Sequence, residues 1–197
     1  MKKYLLSTLA VLTALTVASA ASAQTSYYDD GYVKVDAGYS MGTGRTDNAA
    51  LFGVGTGFRL NNYFKADVTA EWRPWGKEQF RKAEGYKADM WSADAMANIY
   101  ASYPVWDKFS IYATGGVGYA YNKVKNFKGD YKGKGKSNFA WNVGGGIEYA
   151  LTSNVCLDLG YRYTDLGNAE AKNRTTGEKY KEDVKYNDIK LGMQYYF

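Results

Sequence analysis

Eight times along this chain, apolar and polar residues alternate with a period of two, and that repetition constrains the fold more than any other feature. The run at 186–197 is the plainest. Ile189, Leu191, Met193, Tyr195 and Phe197 fall on one side, with Asp188, Lys190, Gly192, Gln194 and Tyr196 on the other. Successive side chains of a strand point to opposite faces, so this run is a strand with one apolar and one wet face. It stops on the aromatic Phe197. In water a greasy edge strand invites aggregation, whereas a strand that closes a barrel inside a membrane has no edge.

The first run, 31–40, sets Val33, Val35, Ala37 and Tyr39 against Lys34, Asp36, Gly38 and Ser40. Further runs cover 52–60, 64–72, 91–100, 109–119, 139–149 and 155–164. Each is close to the roughly 9–11 residues that a tilted membrane strand needs. Long and short connections alternate strictly. Loops at 41–49, 73–87, 122–137 and 165–185 are separated by tight turns at Asn61-Asn62, at 102–108 around Pro104, and at Thr152-Ser153-Asn154. Short turns on one side and longer loops on the other are the outer-membrane arrangement. The expected fold is all-β: an eight-stranded antiparallel up-and-down transmembrane β-barrel, with the last run closing against the first.

A water-soluble barrel would carry the same alternation with the apolar face inside. Three features set the opposite polarity. The glycines fall mainly on the polar face, at Gly53, Gly55, Gly57, Gly116, Gly118, Gly144, Gly146, Gly160 and Gly192, and small residues belong in a narrow interior. The apolar face carries Trp72, Trp91, Phe109, Trp141, Tyr149 and Phe197 near the ends of runs, as aromatic girdles would. The loop asymmetry has no purpose in a soluble barrel.

Residues 1–23 are read as a cleaved export signal: Lys2 and Lys3, then an apolar stretch at 5–17, then small residues ending in Ala21-Ser22-Ala23. Residues 24–197 form one barrel domain of 174 residues. Removing Lys2 and Lys3 lowers the net charge from +5 to +3, so the basic balance is weak and argues for no nucleic-acid partner. Mean hydropathy is −0.47, which alternating strands produce even when they span a membrane.

The stretch 158–167, Asp-Leu-Gly-Tyr-Arg-Tyr-Thr-Asp-Leu-Gly, and the closing run resemble small bacterial outer-membrane barrels. These are the opacity-protein-like and OmpA-transmembrane-domain-like group, often labelled porin family. The resemblance implies residence in a Gram-negative outer membrane, contact with its lipid and lipopolysaccharide, and insertion by the barrel-assembly machinery, with Tyr195 and Phe197 as part of the assembly signal. It implies no single shared activity.

Candidate chemistry is sparse. Lys34, Arg59, Lys65, Arg162 and Lys190 share the inward face with Asp36, Asp67, Glu71, Asp94, Glu148, Asp158 and Asp188. Buried charges of opposite sign pair, so these twelve are expected to form a polar plug. The chain contains no histidine, which removes the usual general base of barrel acyltransferases and hydrolases, and the expectation is of no enzyme. Without histidine and with the single Cys156, no metal or cofactor site is expected. Acids of the last loop lack the spacing of a calcium loop. Cys156 is placed as a small inward residue near the periplasmic end.

The outer loops are basic: Lys123, Lys125, Lys128, Lys132, Lys134 and Lys136 on one, Lys172, Arg174, Lys179 and Lys181 on the next. Cations at that level attract the phosphates of lipopolysaccharide or a host or matrix ligand such as a sulfated glycan. The function expected is that of a monomeric, non-enzymatic surface barrel displaying four outer loops for interaction, such as adhesion, and for envelope integrity. The alternative is a low-conductance porin or a channel for small hydrophobic solutes.

Overall fold

A computed structural model describes residues 31–44, 46–79, 87–125, 131–173 and 179–197, with side chains described except at 75–79, 87–89, 124–125, 131–134, 170–173 and 179–180. Residues 1–23, read as the export signal, lie outside the described residues. Eight strands follow in order: β1 (Gly31–Gly42), β2 (Ala49–Arg59), β3 (Phe64–Gln79), β4 (Lys87–Trp106), β5 (Phe109–Lys125), β6 (Tyr131–Ala150), β7 (Val155–Asn173) and β8 (Lys179–Tyr196). Every strand pairs antiparallel with its sequence neighbours, and β8 closes the barrel on β1 through pairs such as Val35–Met193. Phe197 continues that seam, its N–H donating to the Gly31 carbonyl at 3.0 Å.

Burial runs opposite to that of a water-soluble protein. Lys34 and Asp36 are 4% and 5% exposed, while the intervening Val35 is 51% exposed and Val68 and Leu191 are each 58%. Valine, isoleucine and leucine cover the middle of the outer wall. Phe58, Phe64, Trp106, Phe109 and Tyr195 flank that band on the turn side, and Tyr39, Phe52, Trp72, Tyr119 and Phe139 on the other. Phe109 and Tyr119 bound the band on β5, where ten residues at ~3.3 Å each, tilted by ~40°, span about 25 Å, the height of a lipid-facing apolar belt. Outward wall and membrane therefore match in thickness.

The strands continue well past the belt. β4 and β6 have 20 residues each, β7 has 19 and β8 has 18, about twice what the membrane requires. The three segments read as charged loops, 73–87, 122–137 and 165–185, are therefore largely paired strand. Their polar composition marks a ladder standing in water above the bilayer. Pro104, read as turn punctuation, lies inside β4 at a register shift beside the true turn, Asp107-Lys108. A strand proline is tolerated at such an irregularity because it has no N–H to give the ladder.

β7 departs from regularity against both of its neighbours. Between the pairs Trp141–Asp165 and Lys134–Glu170 the β6–β7 register shifts, and Asp165/Asn168 shift against β8 as well. Gly167 sits there at φ +72°, in the left-handed region that glycine takes without strain. Side-chain amides take up carbonyls in this bulge: Asn122 Nδ2 donates to Leu166 O at 2.9 Å, and Asn138 Nδ2 to Asn168 O at 2.8 Å. Leu166, the last residue in phase before the bulge, is fully buried.

Candidate functional site: the filled lumen and the lysine-bearing rim

The lumen is built from the wet faces of all eight strands, and its charges meet in tiers. In the outermost charged tier, Arg73 on β3 donates to Ser40 Oγ at 3.0 Å, Asp94 Oδ2 at 2.5 Å, Glu71 Oε2 at 3.1 Å and Asp188 Oδ2 at 2.8 Å. Arg162 on β7 also donates to Glu71 and, at 3.3 Å, to Asp188. Asp188 further accepts from Ser40 at 2.5 Å and Thr164 at 2.8 Å. Two guanidiniums thus bind three carboxylates, in a place where an unpaired charge would be very costly.

In the middle tier, Lys190 bridges Asp36 at 3.2 Å and Glu71 at 3.0 Å, while Lys34 lies 3.6 Å from Asp36 and 3.4 Å from Asp67. Asn142, Asn98 and Asp67 form a chain across the lumen, Asn142 donating to Asn98 at 2.9 Å and Asn98 to Asp67 at 2.7 Å. Nearer the turns, Lys65 donates to Glu148 and stands within 5.2–5.9 Å of the rings of Tyr32, Tyr100 and Tyr112. Three aromatic faces around one ammonium supply cation–π attraction in place of water. Gln194 Nε2 completes the tier by donating to Glu148 at 3.0 Å.

Arg59 differs from its expected place in the plug. At the last position of β2 it is half-exposed, its guanidinium 4.6 Å from the Tyr196 ring at the turn end. There it lines an open cavity of about 240 Å³ together with Lys65, Lys108, Glu148, Cys156 and Tyr196. Being in phase with the lumen did not bury it, because its strand ends at the mouth.

Arg73 falls in the segment read as a loop and is not among the residues expected in the plug. Its signal was available: it continues the inward series Lys65, Asp67, Thr69, Glu71 without a break in phase. The tyrosines Tyr32, Tyr100 and Tyr112 share the inward phase of their runs but are not among the twelve residues expected in the plug. Above the charged tiers the lumen turns apolar, with Met90, Met96, Ala120, Ala140, Leu166, Ala169 and Val184 in one buried cluster. Leu166, Ala169 and Val184 of that cap come from a segment read as a loop, whereas Met96 and Ala140 lie on the inward phase of the runs 91–100 and 139–149.

Of the basic loop residues, Lys128 and Arg174 fall outside the described residues. The others belong to strands: Lys123 and Lys125 to β5, Lys132, Lys134 and Lys136 to β6, Lys172 to β7, and Lys179 and Lys181 to β8. Register sets Lys132 opposite Lys172, and Lys172 opposite Lys179, so three lysines stand in one row across three strands. Two residues toward the membrane, Glu170 stands between Lys134 and Lys181.

Residues 7–197 match the family described as outer membrane protein beta-barrel domain. The chain belongs to this family. Among members of known sequence, outer membrane protein PagN of Salmonella typhimurium is 33% identical over 115 residues, covering 52% of this chain and 48% of PagN. The chain spans 48% to 61% of the length of the first curated relatives it matches. Outer-membrane barrels of solved structure share the fold. Neisserial surface protein A has a TM-score of 0.62 at 19% identity, covering 85% of this chain and 97% of that one. Ail of Yersinia pestis, solved in complex with the heparin analogue sucrose octasulfate, has a TM-score of 0.50 at 18% identity, covering 85% and 99%. The family places the protein in the outer membrane, with its short turns toward the periplasm and its long strands projecting outward.

Proposed function

We propose that this outer-membrane barrel is a non-enzymatic surface scaffold whose projecting β6–β8 rim binds polyanions, either lipopolysaccharide phosphates or a sulfated glycan of a host surface or matrix. The observation that carries this reading is the row Lys132–Lys172–Lys179. Three lysines at successive register positions concentrate positive charge on one row of the sheet, which attracts a ligand bearing several phosphates or sulfates. Sucrose octasulfate, the ligand in the Ail complex, belongs to this chemical class. A lumen filled by fixed ion pairs and capped by apolar side chains supports a scaffold rather than a conduit. In this reading the protein acts as a monomer and contributes to envelope integrity. It enters the membrane through the barrel-assembly machinery, with Tyr195 and Phe197 in the signal.

The test uses full-length protein in lipid nanodiscs on immobilised heparin and on lipopolysaccharide. Replacing Lys132, Lys172 and Lys179 together by glutamine is expected to weaken binding by roughly tenfold or more, at ~0.5 kcal/mol or more per exposed charge pair. Unchanged binding to both ligands would remove the rim as the site.

A further inference from the structure

The turn-side mouth holds an open cavity of about 240 Å³ that the plug does not fill, and the short turns set it facing the periplasm. Charge at its floor is already paired. Lys65 donates to Glu148, and Gln194 donates to the same carboxylate at 3.0 Å. The rim adds charges of its own, Arg59 at the last position of β2 and the turn Asp107-Lys108. Counting floor and rim together, the cations Arg59, Lys65 and Lys108 meet the acids Asp107 and Glu148. The lining therefore carries one net positive charge.

Arg59 is held in place by a chain of contacts reaching down to that floor. Its guanidinium lies 4.6 Å from the Tyr196 ring, and the Tyr196 hydroxyl donates to Gln194 Oε1 at 2.8 Å. Lys65 donates to the same oxygen at 3.3 Å. A guanidinium stacked on a fixed ring has little freedom left to lose when its N–H groups take a ligand. Its planar fork suits a carboxylate, which it grips through two parallel hydrogen bonds. A phosphate dianion exceeds the single net charge and would meet Asp107 and Glu148. Asn61, Asn62, Ser110 and Thr152 surround the charges with neutral donors and acceptors, which the amides of a peptide need. The volume falls short of the ~300 Å³ or more of a pocket for a drug-sized molecule, so it suits the end of a chain.

We infer that this mouth is a binding site for the carboxylate-bearing end of a peptide, with Arg59 as the carboxylate's partner. Such ends reach the periplasmic face from two sources, the peptide side chains of the cell wall and free oligopeptides. The cell-wall source would tie the barrel to the layer beneath the outer membrane. The site lies at the opposite end of the barrel from the lysine row, so it stands or falls independently of polyanion binding at the rim.

The test titrates the full-length chain in lipid nanodiscs with N-acetyl-alanyl-alanine, with the same peptide amidated at its C-terminus, and with acetate, following amide chemical shifts. The free acid is expected to bind roughly tenfold or more tighter than its amide, the factor that charge-assisted hydrogen bonds supply, and tighter than acetate, which has no amide groups. Arg59→Gln is expected to reduce the free acid to the level of the amide. Arg59 is half-exposed at a strand end, so this variant should keep the barrel, with unchanged shifts in the membrane-level strands as the check. The triple glutamine variant of Lys132, Lys172 and Lys179 should bind the dipeptide as the wild type does. Co-sedimentation of the nanodiscs with isolated cell-wall sacculi, lost in Arg59→Gln, would identify the cell wall as the source; dipeptide binding without co-sedimentation would identify free peptide. Equal binding of acid and amide, or wild-type binding by Arg59→Gln, would overturn the inference.

Discussion

Arg73 joins four strands through one side chain, since its partners lie on β1, β3, β4 and β8. Replacing it by methionine keeps length and apolar volume but leaves Glu71, Asp94 and Asp188 to Arg162 and Lys190. Removing one partner of a buried ion-pair network typically costs ~3–5 kcal/mol, and Arg73→Met is expected to lower the stability of refolded protein by about that amount in urea titration. A midpoint equal to that of the wild type would mean that the tier contributes no stability. Arg73 also marks how far the sequence can be followed at this scale. Its phase identifies its face, and so does that of Arg59, yet one is fully buried and the other lines the mouth. Phase gives the side of a strand; depth depends on where the strand ends, and β3 runs on to Gln79, well past the end of its apolar alternation.

At the scale of an element, β7 carries the clearest break between pattern and structure. Its inward residues run Asp158, Gly160, Arg162, Thr164, Leu166 and then Ala169, so the bulge at Gly167 resets the alternation by one residue. No period-two reading survives such a reset, which is why the strand was ended at Thr164 and its apolar cap lost. The bulge depends on glycine twice. Its φ of +72° disfavours a side chain, and a Cβ would come 2.4 Å from Asn138 Cβ. Gly167→Ala is expected to cost ~1–2 kcal/mol locally, raising amide exchange at 166–171 by roughly tenfold while the membrane-level ladder keeps its protection. Unchanged exchange there would show that the bulge relaxes without penalty. The hairpins above the bilayer were hidden for a related reason: strands with water on the outside need no apolar face to bury, so their lysine-rich sequence resembles loop.

For the whole molecule, strand number, closure, inverted polarity and the two aromatic girdles were all legible, because the lipid belt forces a strict alternation in every strand that crosses it. What happens inside the lumen and above the belt was legible only in part, since neither environment imposes that rule. The family assigns the protein to the outer membrane, and the arrangement of its charges distinguishes two ways of working there. A barrel that acts at its rim can afford a sealed interior; a barrel that conducts cannot. Current through planar lipid bilayers after reconstitution of the full-length chain separates the two most directly. A lumen filled by ion pairs predicts a current that stays at the level of the bare bilayer, with no discrete openings. Discrete openings whose amplitude changes when Arg73 or Arg162 is replaced by glutamine would contradict it.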